Sequence, residues 1–121
     1  MKTLLFAMIV VCCFAGSGCY YDSEEELYGT GCDTTNVTYS VTINTIINNY
    51  GCLTCHSGPT SISGFSLQGY TNLKAKVDDQ RLLGAINHEN GFAAMPQGMP
   101  KMNQCDINKV KAWVDAGAPN N

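Results

Sequence analysis

A chain of 121 residues has the length of one domain, which argues against an enzyme with a separate cofactor module. The formal net charge is −3, from 7 basic and 10 acidic side chains, and no basic patch is visible, so nucleic-acid binding is not expected. Seven cysteines are far above ordinary usage for a chain of this size and predict thiol-derived bonds or ligands.

Residues 1–18 have the pattern of a secretory signal peptide, because one basic residue precedes an apolar run too short to span a membrane comfortably. Small residues then lead into Cys19, and this junction resembles the lipobox of bacterial lipoproteins. The resemblance implies an acylated Cys19 and an exported, membrane-anchored protein in the periplasm or outer cell envelope. Gly16 stands where that pattern usually has Leu, so ordinary cleavage within residues 15–18 is the alternative. Loss of residues 1–18 leaves 6 basic and 10 acidic side chains, a net charge of −4.

Residues 19–31 predict a flexible acidic tether, since they are first acidic, then glycine-punctuated, with no sustained apolar period. A dozen flexible residues reach roughly 20 Å on average, enough to hold a small domain just off a membrane surface. The folded domain is therefore expected over residues 32–121.

The first helix of this domain is predicted from apolar residues spaced i, i+3, i+4 and i+7, namely Ile43, Ile46, Ile47 and Tyr50. Ser40 is the expected N-cap, and Gly51 is the expected end. Apolar residues also alternate over 39–43 among β-branched neighbours, so a short strand at this point is the alternative.

Further helices are predicted over 71–77 and 81–87, followed by a loop at 91–100 whose prolines and glycines forbid regular structure. The last helix has the clearest signals. Asn103 is its expected cap, Asp106 occupies the third helical position, and Gly117 with Pro119 ends it. Its apolar face comprises Ile107, Val110 and Val114, beside Trp113.

The central motif is Cys52-Leu53-Thr54-Cys55-His56, the CxxCH spacing of covalent haem attachment. Two thiols on one helical turn can add to the two vinyl groups at one porphyrin edge, and the next residue then presents its imidazole to the iron. One motif predicts one haem c per chain. A zinc site would need further ligands at metal spacing, and a redox-active CxxC normally belongs to a longer βαβ chain.

A second axial ligand is expected for low-spin iron, and methionine is common in electron carriers because it raises the reduction potential. Beyond the signal peptide the candidates are Met95, Met99 and Met102.

The chain is similar over residues 32–121 to class I c-type cytochromes, in particular to the small single-haem bacterial lipoprotein cytochromes. The residues that carry the resemblance are the CxxCH motif, Met95-Pro96, Cys105-Asp106-Ile107 and Trp113-Val114-Asp115-Ala116-Gly117-Ala118-Pro119. It implies an all-α cytochrome c fold, with the amino- and carboxyl-terminal helices packed around one covalently bound haem. It also implies Met95 as the sixth iron ligand. Met99-Pro100 repeats the dipeptide, so Met99 is an alternative, and His88 or an open site is a third.

The His56 ring nitrogen that does not bind the iron is expected to donate its proton to a backbone carbonyl. Pro59 is near enough in the sequence to supply that carbonyl. Candidate walls of the haem pocket are Phe65, Leu67, Tyr70, Leu82, Leu83, Ile86 and Trp113, although each could equally be ordinary core. Candidate partners of the haem propionates are Lys74, Lys76 and Arg81.

Cys32 and Cys105 are left over once the lipid and haem cysteines are assigned, and they are expected to form a disulfide, which an exported protein permits. If Cys19 were not lipidated, it would be the odd thiol instead.

These features predict an electron carrier rather than an enzyme, since no catalytic constellation is visible. Its partners would be redox proteins of a respiratory or envelope electron-transfer chain, besides the membrane that holds the Cys19 anchor. The alternative is a haem enzyme, or a gas or peroxide sensor, with an open or labile sixth position. A zinc-binding lipoprotein is a third interpretation.

Overall fold

The structure is a computed structural model that describes residues 31–59 and 61–121. The predictions for residues 1–18, for Cys19 and for nearly all of the tether lie outside the described residues. Cys32–Asn121 forms a compact unit of helices joined by loops. No strand occurs among the described residues, which confirms the predicted all-α class. Within the same residues no helix is long and apolar enough to cross a membrane.

The helices lie close to their predicted positions. A π-helical segment, Tyr39–Ile43, runs directly into α1, Asn44–Asn49, and a short 3-10 helix, Cys52–Thr54, follows. The later helices are α2 (Tyr70–Asp78), α3 (Arg81–Ile86) and α4 (Gln104–Asp115). Residues 91–100 contain only turns and bends, as their prolines and glycines predict.

The beginning of the first helix differs from the prediction. Thr38, in an extended conformation, is the N-cap, so Ser40 lies inside the helix and the strand alternative at 39–43 is wrong. The N–H of Ile43 donates to the carbonyl of Thr38 at 3.0 Å, an i to i−5 bond that gives this turn its π character. Asn121 accepts from the N–H groups of Tyr39 and Ser40, both at 2.8 Å, through its side chain and carbonyl. These first-turn donors are therefore satisfied from a distant part of the chain, and no local cap is needed.

Helix α4 begins as predicted. The Asn103 side chain accepts a hydrogen bond from the N–H of Cys105 at 2.8 Å, and Asp106 lies in the first turn, where the helix dipole favours a negative charge. Gly117, with φ of +89°, turns the chain out of the helix.

The core lies where the π-helical segment and α3 pack against α4, and α2 packs on α3. Trp113, Ile43, Leu73 and Ile107 are its largest fully buried side chains. The Trp113 ring stacks on Tyr39 with 6.0 Å between ring centroids. The two end helices of the domain are thus held together by direct apolar packing.

Cys32 and Cys105, the pair that the sequence predicts, form a disulfide with their Cα atoms 5.3 Å apart. The bond joins the segment before the first helix to the first turn of α4. It therefore brings together residues that are 73 positions apart in the sequence.

Candidate functional site

The CxxCH motif lies on a single tight turn. Gly51 adopts φ of +63°, a left-handed conformation that favours glycine, and so ends the preceding helical segment. The 3-10 helix Cys52–Thr54 follows, and just after it the N–H of His56 donates to the carbonyl of Cys52 at 3.0 Å. The two motif cysteines and the histidine therefore follow one another along a single tight turn of the backbone.

Both motif cysteines are free thiols, but they have different surroundings. Cys52 is half-buried and packs against the hydrophobic core, whereas Cys55 is exposed. Burial raises the pKa of the Cys52 thiol, which therefore stays protonated at neutral pH. Neither sulfur is committed to another bond of the described residues, so both are available for covalent attachment.

The His56 ring is buried, with 7% of the residue exposed. Its Nδ1 lies 2.6 Å from the hydroxyl oxygen of Ser63. The prediction that Pro59 would serve the ring is therefore wrong. A turn closed by the N–H of Gly64 on the carbonyl of Ser61, at 2.9 Å, brings Ser63 back over the ring. The carbonyl of His56 accepts from the N–H of Leu67 at 2.7 Å, which fixes the backbone as well.

Phe65 covers one side of the imidazole, with 4.5 Å between the two ring centroids. The Lys76 ammonium of α2 lies 4.8 Å from the centre of the Phe65 ring, within cation–π distance. Lys76 also pairs with Asp79 at 2.7 Å. The loop that follows His56 and carries Phe65 is in this way connected to α2.

Of the two methionines in the 91–100 loop, Met95 has more backbone hydrogen bonds. Its N–H donates to the carbonyl of Ala85 in α3 at 3.0 Å, and its carbonyl lies 3.0 Å from Nε2 of His88. Met99 is 58% exposed, and Met102 is 5% exposed as part of the core.

The remaining predicted haem-pocket residues fall into two groups. Phe65 is 38% exposed, whereas the others contribute to the core: Leu67, Leu82, Ile86 and Trp113 are buried in it, and Tyr70 and Leu83 are half-buried against it.

The three predicted propionate partners already face acidic side chains. Lys74 pairs with Asp78, and Lys76 and Arg81 pair with Asp79. Their proposed contacts with a haem stay predictions.

The donor set of the turn fits a covalently attached haem. Two free thiols can form thioether bonds, and the hydrogen bonds of the described residues leave Nε2 of His56 unused for an axial bond. No cluster of three or more His, Cys, Asp or Glu side chains suited to a metal ion occurs within residues 31–59 and 61–121.

Comparisons with protein-family models, with curated proteins and with solved structures find no match for this chain.

Proposed function

We propose that this protein is a single-haem c-type cytochrome that carries electrons in the cell envelope. Cys52 and Cys55 would bind the haem through thioether bonds, and His56 would be one axial ligand. The observation that carries the proposal is the buried His56 imidazole, which is held through Nδ1 and follows two free thiols in the CxxCH turn. Once attached, the haem would supply a one-electron ferrous–ferric couple.

The proposed fold is that of cytochrome c, with the first and last helices of the domain packed beside the haem. The contact between the π-helical segment and α4 supports this arrangement. In this fold the chain's own residues orient the imidazole, keep water from it and hold the sixth ligand in place.

Met95 is the proposed sixth ligand, because both its N–H and its carbonyl make hydrogen bonds that hold the backbone on either side of its side chain. Exposed Met99 has only one such bond, from its N–H to the carbonyl of Pro96 in the same loop at 3.3 Å, and Met102 already belongs to the core. His88 is the weaker candidate, because its Nε2 atom must donate to the carbonyl of Met95 and only Nδ1, the ring nitrogen next to the side-chain stem, keeps a lone pair.

The proposed location is outside the cytoplasm, with a lipid on Cys19 as the membrane anchor. The Cys32–Cys105 disulfide supports export, because such bonds form and persist in oxidising compartments. The partners would be other redox proteins that meet the protein through a small, transient interface.

Expression of the full chain with a cytochrome c maturation system tests the attachment. We expect a c-type spectrum on reduction and a haem stain that survives a denaturing gel. The double variant Cys52→Ala/Cys55→Ala should lose the stain, whereas Met99→Ala should keep it. A colourless wild-type protein would exclude the cytochrome proposal and direct attention to zinc.

The axial ligand is tested on the same preparations. Met95→Ala should lose the weak methionine-to-ferric-iron absorption band, and Met99→Ala should retain it. Rapid carbon monoxide binding by the reduced wild-type protein would instead favour a gas-binding or catalytic haem with an open sixth position.

A further inference from the structure

The hydroxyl of Ser63 is the centre of a small hydrogen-bond network around His56. Its oxygen lies 2.6 Å from Nδ1 of His56, 2.8 Å from the carbonyl of Phe65 and 3.1 Å from the carbonyl of Cys55. The Ser61 hydroxyl is 3.3 Å away and itself donates to the Phe65 carbonyl at 2.6 Å. Four polar atoms therefore surround one hydroxyl.

The chemistry of these neighbours determines the direction of the hydrogen bonds. A serine hydroxyl has one proton, and the two carbonyl oxygens can only accept. The Ser63 proton goes to one of these carbonyls, because donating it to Nδ1 would leave the lone pairs of Ser63 facing both carbonyl oxygens instead of one. The short contact to His56 is then a hydrogen bond that Nδ1–H donates to the Ser63 oxygen. The proton of the neutral imidazole is thereby fixed on Nδ1, and the lone pair remains on Nε2.

We propose that Ser63 is the positioning residue that fixes the tautomer and orientation of His56 and sets the redox balance of the site. This inference rests on the proposed cytochrome function. An acceptor at Nδ1–H makes the imidazole more basic, and a more basic axial ligand favours ferric over ferrous iron. Ser63 thus lowers the reduction potential of the protein compared with an imidazole that has no acceptor.

Three variants of the haem-loaded protein separate this role from simple loop packing. Ser63→Ala removes the acceptor, Ser63→Thr keeps a hydroxyl, and Ser57→Ala removes an exposed hydroxyl next to His56 in the sequence that lies outside this network. We expect Ser63→Ala to raise the reduced-to-oxidised equilibrium constant roughly three- to tenfold, where tenfold is about 59 mV for a one-electron couple. Ser63→Thr and Ser57→Ala should remain close to wild type in potentiometric titration.

A measurement on the wild-type protein keeps the inference testable if Ser63→Ala does not mature. Proton NMR of the reduced protein should show a nuclear Overhauser effect between Nδ1–H of His56 and the β protons of Ser63. A wild-type protein that carries haem but lacks this effect would overturn the assignment, as would an unchanged potential in Ser63→Ala. A wild-type protein without covalent haem would instead overturn the proposed function.

Discussion

His88 occupies a left-handed backbone position, with φ of +56°, and its ring closes the loop that carries Met95. The Nε2 atom lies 3.0 Å from the Met95 carbonyl, so the imidazole bridges the segment from residue 88 to residue 95. Left-handed backbone is uncommon for residues other than glycine and is retained where surrounding contacts compensate for it. Under the proposed function, the role that follows for His88 is to hold the main chain of Met95 in place.

Replacement of His88 tests this role in the haem-loaded protein. His88→Phe removes the donor to the Met95 carbonyl, whereas His88→Gln retains an amide that can donate. One such hydrogen bond contributes about 0.5–1.5 kcal/mol, so added imidazole should displace Met95 at roughly two- to tenfold lower concentration in His88→Phe. The measurement is an imidazole titration followed through the methionine-to-iron band. Equal midpoints for His88→Phe and wild type would contradict it.

The individual site residues differ in how far the sequence predicts them. Cys52, Cys55 and His56 follow from the spacing of one motif, because all three lie on a single turn. Ser63 follows from no such rule, since its position beside the imidazole depends on how the loop after the motif folds back. The sequence-based choice of Pro59 failed because it considered only distance along the chain.

Between elements, Tyr50 links the end of the first helical segment to the start of α4. Its hydroxyl donates to the Asp106 carboxylate at 2.9 Å and accepts from the N–H of Asn103 at 3.0 Å. Asn103 is also the helix cap, so this tyrosine fixes the cap from outside the helix. Burial raises the pKa of the Tyr50 hydroxyl, and the hydrogen bond to Asp106 and its negative charge add to that increase.

Tyr50→Phe should therefore lower stability in a pH-dependent way. At pH 7 the loss of two hydrogen bonds should cost about 1–2 kcal/mol in the free energy of unfolding. The folded-state pKa of Tyr50 lies above the unfolded value, so its contribution is complete below about pH 10 and is lost as the pH rises through the folded-state pKa. Denaturant titrations of both proteins from pH 7 to 11 measure this. A difference that grows with pH would contradict it.

A second contact between elements involves helix α3, where the ring of Phe92 packs directly against Gly84. A Cβ atom at Gly84 would lie 2.6 Å from the inner ring atoms of Phe92, closer than van der Waals contact permits. Glycine in a helix is normally unfavourable by about 1 kcal/mol relative to alanine, so its presence here reflects the close approach of the loop.

Gly84→Ala should consequently destabilise the protein, because overpacking costs about 1–3 kcal/mol and outweighs the gain in helix propensity. In the background of Phe92→Ala the same change should become stabilising, since the clash is absent. Urea unfolding of the four proteins in this double-mutant cycle supplies the coupling energy. The interpretation fails if Gly84→Ala has the same effect in both backgrounds.

Helix boundaries were predictable where the signals are local. Asn103 and Gly51 act on neighbouring backbone groups, and the periodic isoleucines place their face in the core, so those predictions were confirmed. The choice of Ser40 as a cap was wrong because the first-turn donors are satisfied by Asn121, which is about eighty residues away. Periodicity and capping preferences contain no information about such a partner.

Over the whole Cys32–Asn121 unit, the final residues close the structure by folding back over the helices. The Trp113 indole donates to the carbonyl of Pro119, and the Tyr70 hydroxyl donates to that of Ala118, each at 2.9 Å. With the Asn121 cap, these bonds fasten the last segment to the first helix, α2 and α4. The Cys32–Cys105 bond makes a second, covalent connection between the beginning of the unit and α4.

The covalent connection should supply a large share of the stability of a unit this small. Closing a span of 73 residues contributes about 4 kcal/mol in the chain-entropy model, compared with about 5–15 kcal/mol for a typical native protein. The double variant Cys32→Ser/Cys105→Ser should therefore unfold at clearly lower denaturant concentration than the oxidised wild-type protein.

Reduction provides the matched control for that comparison. Dithiothreitol should bring the wild-type unfolding curve to that of the double variant and leave the variant's own curve unchanged. Under the proposed function Cys52 and Cys55 form thioether bonds, which do not exchange with thiols. If oxidised wild type and double variant unfolded at the same midpoint, the packing of the end helices alone would determine the stability. The outcome thus decides whether the first and last helices depend on the covalent bond or on the stacked Trp113 and Tyr39 rings between them.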